Sequence, residues 1–98
     1  MPSRLISTAA AEVLARNTQR KAFIISNEDS AIDVFIKREQ NDTLSATTTD
    51  HDHRIPAGGS LALSNFVDGD EAVKDRWTII AASGTPRVAY FETEDVMR

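Results

Sequence analysis

Apolar side chains recur at every second position in several short runs of this chain, and this spacing restricts the possible folds more than any other feature. In residues 32–38, the apolar side chains Ile32, Val34 and Ile36 fall on one face of an extended chain. Later runs show the same spacing and are rich in β-branched and aromatic residues. A period of two, rather than 3.6, predicts β-strands that each bury one face.

Turn-forming residues separate these runs at intervals of about ten residues. All four glycines, at positions 58, 59, 69 and 84, lie in such segments, and none interrupts an apolar run. Short, regularly spaced strands of this kind are typical of sandwiches and small barrels. We therefore predict an all-β protein, folded as a single small antiparallel β-sandwich or jelly-roll-like domain.

Two antiparallel hairpins are expected within this domain. Residues 21–27 would pair with residues 32–38 across a loop of four or five residues. Residues 76–82 would pair in the same way with residues 86–92 across a loop that contains Ser83, Gly84 and Thr85.

The chain is expected to form one domain with two additions. Residues 1–10 are predicted to be either an N-terminal arm or an edge strand, and residues 11–98 to form the sandwich. Residues 39–53 form a long polar loop, and a loop of this length in a small domain is usually functional or mobile.

Residues 9–16 fit either a short helix or a strand that buries Ala11, Val13 and Ala15. The strand is favoured because no capping box precedes these residues. The predicted core consists of Ile24 or Ile25, Ile32, Val34, Ile36, Leu61, Leu63, Trp77, Ile79, Val88 and Tyr90.

Composition excludes several classes of function. The 98 residues include no cysteine, so disulfides, thiolate zinc clusters and thiol nucleophiles are absent. No run approaches the roughly 20 apolar residues of a membrane-spanning helix, and the N-terminus lacks the apolar stretch of a secretory signal.

Residues 1–27 carry four cations and one anion, whereas residues 28–98 carry seven cations and fourteen anions. Such an acidic domain is a poor binder of duplex DNA, so neither nucleic acid nor a membrane is expected as a partner.

Catalytic chemistry has little support in these residues. No phosphate-binding loop, dinucleotide motif or nucleophile-base pair is recognisable, so the protein is not expected to be an enzyme or to bind a cofactor. His51 and His53 are weak metal candidates, since both would point to one side of an extended chain. A metal needs three or four convergent ligands, so a solvated loop is the favoured interpretation and no metal site is assigned.

The arrangement of several segments resembles small virion proteins of tailed bacteriophages. The resemblance covers about residues 11–92 and is carried by strand and turn motifs, which specify a fold better than a role. These motifs are Asn17-x-x-Arg20-Lys21-x-Phe-Ile-Ile-Ser-Asn27, Val34-Phe-Ile, Ile55-Pro-Ala-Gly-Gly-Ser60 and Trp77-x-Ile-x-Ala-x-Ser-Gly-Thr85.

The resemblance implies a β-sandwich or jelly-roll module of the virion, assembled in the host cytoplasm. Its expected role is that of a non-enzymatic capsid decoration (cement) protein, which clamps neighbouring subunits of the major capsid protein. An alternative is a ligand- or carbohydrate-binding module of a fibre, neck or tail, with Trp77, Tyr90 or Phe35 as a stacking platform. A homo-oligomer is expected, with a trimer favoured because decoration proteins of this group commonly occupy local three-fold positions.

The expected partner-binding residues are Arg4, Leu5, Ile6, Phe35 and Trp77. Leu5 and Ile6 would fill pockets of a neighbour if residues 1–10 left the domain as an arm. Phe35 stands alone on an otherwise charged strand face, and Phe91 is expected on the same side of the sheet.

Overall fold

Eight strands and one short helix make up the fold in the computed structural model, which describes residues 3–39, 44, 46–64 and 68–94. The strands alternate inward and outward side chains, as a half-buried sheet requires. They are β1 (Ser3–Leu5), β2 (Ala11–Leu14), β3 (Arg20–Asn27), β4 (Val34–Glu39), β5 (His53–Ile55), β6 (Ser60–Ser64), β7 (Arg76–Ala81) and β8 (Arg87–Glu94), with helix α1 (Asp70–Lys74) before β7.

The strands form two antiparallel four-stranded sheets. Sheet A has the order β1-β8-β3-β6, and sheet B has the order β2-β7-β4-β5. Every connection except β4–β5 crosses from one sheet to the other, which is the double Greek-key order of a jelly roll. The prediction of an all-β sandwich is confirmed.

Both predicted hairpins are wrong. Strand β3 pairs with β6 and β8 in sheet A, whereas β4 pairs with β5 and β7 in sheet B. Strands β7 and β8 are likewise divided between the two sheets. The alternation of side chains predicts a strand and its buried face, but it does not identify the neighbouring strand.

The core fills the space between the sheets. Ile24 is exposed whereas Ile25 is buried, and Ile32, Leu61 and Tyr90 lie at the periphery of the core rather than within it. The buried cluster comprises Ile6, Val13, Leu14, Phe23, Ile25, Val34, Ile36, Ile55, Leu63, Val73, Trp77, Ile79, Ala81 and Val88.

Residues 9–16 contain strand β2 with Val13 buried, as expected, but Ala11 is only partly buried and the second buried side chain is Leu14. The pairing with β7 shifts between Glu12 and Leu14, which is the signature of a β-bulge. The bulge places Leu14 in the core and leaves Ala15 exposed.

Candidate functional site

Two polar residues of the motif at residues 17–27, Asn27 and Arg20, lie inside the fold. Asn27 is 2% exposed, and its Nδ2 atom donates to the carbonyl oxygens of Ile32 and Ile55 at 2.7 and 3.2 Å. Its Oδ1 atom accepts a hydrogen bond from the Asp29 N–H at 3.1 Å. Asn27 therefore fixes the loop after β3 and connects it to β5 in the other sheet.

Arg20 is the second buried anchor of this motif, with only 1% of its surface exposed. Its Nε atom donates to the Glu92 carboxylate, and Nη2 donates to the Ala15 carbonyl at 2.6 Å. Nη1 donates to the carbonyls of Val73 and Asp75 at 2.8 and 3.1 Å. Arg20 thereby connects β3 and β8 of sheet A to the segment that enters β7 of sheet B, which is a structural role.

The outward side of sheet A carries no charge over its central three rows. Directly paired residues share a face, so the register defines these rows. Ile24 and Phe91 stand opposite each other in the middle row, and they are 40% and 47% exposed. The rows are Ser60–Ser26–Ala89, Ala62–Ile24–Phe91 and Ser64–Ala22–Thr93, and we call these nine residues the uncharged face.

The outward side of sheet B has the opposite character. Its paired residues carry mainly ionised side chains, and Phe35 and Ile80 are the large apolar members. The residues are Glu12, Thr78 and Lys37 in one row, Ile80, Phe35 and Arg54 in the next, and Arg76 with Glu39 at the end, and we call them the charged face. Thr78 and Glu39 are buried within this face, at 0% and 5% exposed.

Ion pairs neutralise much of the charged face within the domain. Arg76 Nε lies 2.6 Å from Glu12 Oε2, and Lys37 Nζ lies 2.7 Å from Asp50 Oδ2. The hydrogen bond to Asp50 raises the pKa of Lys37 above its ordinary value, with smaller contributions from nearby carboxylates. Each pair has one partner that is well exposed, and ion pairs open to solvent contribute little stability.

The second half of the long polar loop is ordered against sheet B. The Thr47 N–H donates to the Asp50 carbonyl at 2.9 Å, and the Asp50 N–H donates to Thr47 Oγ1 at 2.7 Å. The Asp52 N–H donates to the Ile36 carbonyl at 2.9 Å, which extends the pairing of β5 with β4 by one residue. Most of the first half, residues 40–43 and 45, lies outside the described residues.

The two histidines point to opposite sides of sheet B. The His51 ring lies 4.5 Å from the outward-facing Phe35 ring, measured between centroids. His53 pairs with the buried Ile36, and its ring lies 6.3 Å from that of Trp77. The expected same-side arrangement is therefore wrong, and the described residues contain no group of three or more side chains able to hold a metal ion.

The N-terminal residues form an edge strand rather than a free arm. Strand β1 pairs with β8, and the Arg4 guanidinium donates to the Glu12 carbonyl. Ile6 is 1% exposed and its N–H donates to the Pro86 carbonyl at 2.8 Å, so the structure places this predicted partner-binding residue in the core. Leu5 remains 57% exposed.

The aromatic candidates do not form a stacking platform. Trp77 is 3% exposed and its indole N–H donates to the Ala72 carbonyl at 2.9 Å, so the structure places this predicted partner-binding residue in the core. Phe35 is half-buried beneath His51. Phe91 lies on sheet A, whereas Phe35 lies on sheet B, so the expectation that they share a side is also wrong.

The most exposed paired apolar residues, Ile24 and Phe91, were not expected at a binding surface. The run Phe23-Ile24-Ile25 has three consecutive apolar side chains, so either Ile24 or Ile25 fitted the core. No signal in the sequence separated the two: residues 23, 25 and 27 share one face, and only the structure shows that this face, with Asn27, is the buried one.

Comparisons with protein-family models, with curated proteins and with solved structures found no match to this chain. The likeness to virion proteins therefore rests on the strand and turn motifs alone. In the described part of the chain, no helix has the length and apolar character needed to cross a membrane.

Proposed function

We propose that this protein is a non-enzymatic structural protein of a tailed-bacteriophage virion, a capsid decoration protein that binds neighbouring capsid subunits through its uncharged face. The observation that carries the proposal is the directly opposed pair Ile24 and Phe91, exposed at the centre of that face. Both side chains point away from the core, so they do not contribute to its packing. Exposed apolar side chains grouped on a charge-free surface are typical of protein-binding sites.

The motif resemblance supports the choice of partner, and the jelly-roll strand order is compatible with it. Jelly rolls occur in viral capsid domains but also in lectins, so the fold does not decide between these roles. The surface chemistry favours a protein partner, because small side chains such as Ala62 and Ser26 surround the exposed pair and permit close approach of another flat surface.

The energy available from Ile24 and Phe91 limits how such a protein would bind. Full burial of an Ile or Phe side chain stabilises by about 1.5–3 kcal/mol, so covering the exposed halves of these two supplies about 1–3 kcal/mol together. This contribution is small compared with the entropic cost of association. Tight attachment would require further contacts or several linked sites on the shell, and an oligomer provides linked sites.

The alternative, a carbohydrate-binding module, has weaker support. Of its proposed platform residues, Trp77 is buried, Phe35 is covered by His51, and Tyr90 packs against the core. A flat aromatic ring must be accessible on one face to stack on a sugar, whereas these three rings are buried or partly buried.

The test is co-sedimentation of the purified protein with empty shells of the same particle. We expect Ile24→Asp and Phe91→Asp to weaken shell binding at least tenfold, because each places a charge at the centre of the contact. Ala31→Asp adds the same charge to an exposed loop and is expected to bind normally. Equal binding by all three variants, or no binding by the unmodified protein, would contradict the proposal.

A further inference from the structure

Three of the four edge strands have features that oppose pairing with a strand of another molecule. Strand β1 has three residues and includes Arg4, and β5 has three residues and includes Arg54. Strand β2 contains a bulge next to Glu12. Short length, charge and bulges are the features that protect natural sheet edges.

Strand β6 lacks all of these features. It has five residues, Ser60–Ser64, and pairs with β3 in an unbroken register. Neither a charged residue nor a proline occurs in it. As the last strand of sheet A, it has one side that pairs with no other strand of the described residues.

The hydrogen bonds of the neighbouring residues show which backbone groups point outward. The Asn27 N–H donates to the Gly59 carbonyl at 2.8 Å, so Asn27 and Gly59 occupy a position of the hydrogen-bonded type, although the Gly59 N–H itself donates to the Pro56 carbonyl. Such pairs alternate along antiparallel strands, so the backbone groups of Ser60, Ala62 and Ser64 point away from β3. The Ser64 N–H confirms this direction, because it donates to Asp68 Oδ2 at 3.0 Å outside the sheet.

The order of side chains along β6 is the same in both directions: Ser-Leu-Ala-Leu-Ser. We propose that two copies of this chain pair antiparallel through their β6 edges, about a two-fold axis at Ala62. In that register Ser60 faces Ser64, Leu61 faces Leu63 and Ala62 faces Ala62 of the second copy. Each residue therefore meets one of equal size and no charge, as an interface with two-fold symmetry requires.

Backbone groups supply the contact. The N–H and carbonyl of each Ala62 bond to those of the other copy, and each Ser60 N–H donates to the Ser64 carbonyl of the other copy. The Ser64 N–H stays with Asp68, which limits the contact to these four hydrogen bonds. A single contact between two strand edges buries less surface than the interface of a stable dimer does. The dimer is therefore expected to be weak and concentration-dependent.

Pairing of this kind joins the two A sheets into one sheet of eight strands. Directly paired residues share a face, so the uncharged faces of both copies lie on the same side. The dimer thus presents two Ile24–Phe91 pairs to one flat partner. The dimer does not depend on the capsid proposal. It differs from the expected trimer because the two-fold contact occupies the β6 edge of each copy, so no β6 edge is left for a third copy.

Cysteine cross-linking tests the pairing and its register, since the chain has no cysteine of its own. We expect Ala62→Cys to oxidise rapidly to a covalent dimer, because paired Cα atoms about 5.5 Å apart suit a disulfide. Ser60→Cys alone is expected not to cross-link, as its two copies stand about 13 Å apart. A mixture of Ser60→Cys and Ser64→Cys is expected to form the heterodimer. Ala31→Cys, on an exposed loop, is the control for random collision.

Light scattering and sedimentation over a concentration series provide the second measurement. The mass is expected to rise toward twice the 10.8 kDa of the chain. Ala62→Pro removes one outward N–H and no bond to β3, and Ala62→Lys places two like charges opposite each other. Both are expected to weaken the dimer at least tenfold, whereas Ala31→Lys leaves it unchanged.

Two outcomes would overturn the dimer. The first is cross-linking of the Ala62→Cys variant no faster than that of the Ala31→Cys variant, together with a monomeric mass. The second is a mass that converges on three copies. Shell binding is measured separately with Ile24→Asp. That substitution is expected to retain the dimer, so loss of shell binding and loss of dimerisation are distinguishable.

Discussion

The uncharged face and the charged face have the same strand geometry and opposite chemistry. On the charged face, residues such as Glu12 and Arg76 pair with each other and remain hydrated. On the uncharged face, Ile24 and Phe91 are exposed with no charged residue in their rows. A domain of this kind folds with either type of surface, as the charged face demonstrates. The exposed apolar pair on the other face is the basis for proposing that this face binds a partner.

The largest loss of stability is expected at Arg20, which connects the two sheets and therefore the two faces. Arg20→Met removes the buried guanidinium and leaves the Val73 and Asp75 carbonyls and the Glu92 carboxylate without their donor. Loss of one member of a buried polar network costs about 3–5 kcal/mol of unfolding free energy. Urea denaturation measures this value.

Arg16→Met is the matched control for that experiment. Arg16 also pairs with Asp75, at 3.4 Å, but its side chain is 64% exposed. An exposed ion pair contributes about 0–1 kcal/mol, so Arg16→Met is expected to be nearly neutral. A similar cost for both substitutions would mean that burial of Arg20 is not what holds the sheets together.

A second comparison uses adjacent residues of β3 that point in opposite directions. Ile25 is 0% exposed and Ile24 is 40% exposed. Ile25→Ala is expected to cost about 2–5 kcal/mol, because it opens a cavity in the core. Ile24→Ala is expected to cost below about 1 kcal/mol. If Ile24→Ala destabilised the domain as strongly, the uncharged face would be needed for folding and its assignment to a partner would lose its support.

The smallest effect is expected on the charged face. A double-mutant cycle with Arg76→Gln and Glu12→Gln should yield a coupling energy of about 0.2–1 kcal/mol, since the Glu12 side chain is 42% exposed. The coupling should decrease when salt is added. A coupling above about 2 kcal/mol that persists in high salt would show that this face contributes to folding as well as to solvation.

The strands and their buried faces were predictable from the sequence, whereas their partners were not. Alternation in residues 32–38 correctly placed Val34 and Ile36 inside. It gave no information on whether β4 would pair with β3 or cross to the other sheet, because the connection of residues 28–33 permits both. Sheet membership depends on contacts between distant parts of the chain, such as the one from Asn27 to Ile55.

The candidate site was less predictable than the fold, for a physical reason. Arg20 is a residue type that is almost never buried, and it is buried here only because three carbonyls and a carboxylate converge on it. Ile24 and Phe91 are residue types usually assigned to a core, and their exposure depends on which side of sheet A faces solvent. Local patterns contain neither kind of information.

The position of β8 also has a consequence for how the chain folds. This last strand lies between β1 and β3, so Ser3 finds its partner Ala89 at the opposite end of the sequence. Sheet A is therefore incomplete on the ribosome until β8 has been synthesised, and β1 has no neighbour until then. Folds dominated by such distant pairings fold in roughly milliseconds to seconds, far more slowly than helical bundles. Until β8 is in place, the sides of β1 and β3 that pair with it are unpaired, and unpaired strand edges promote aggregation.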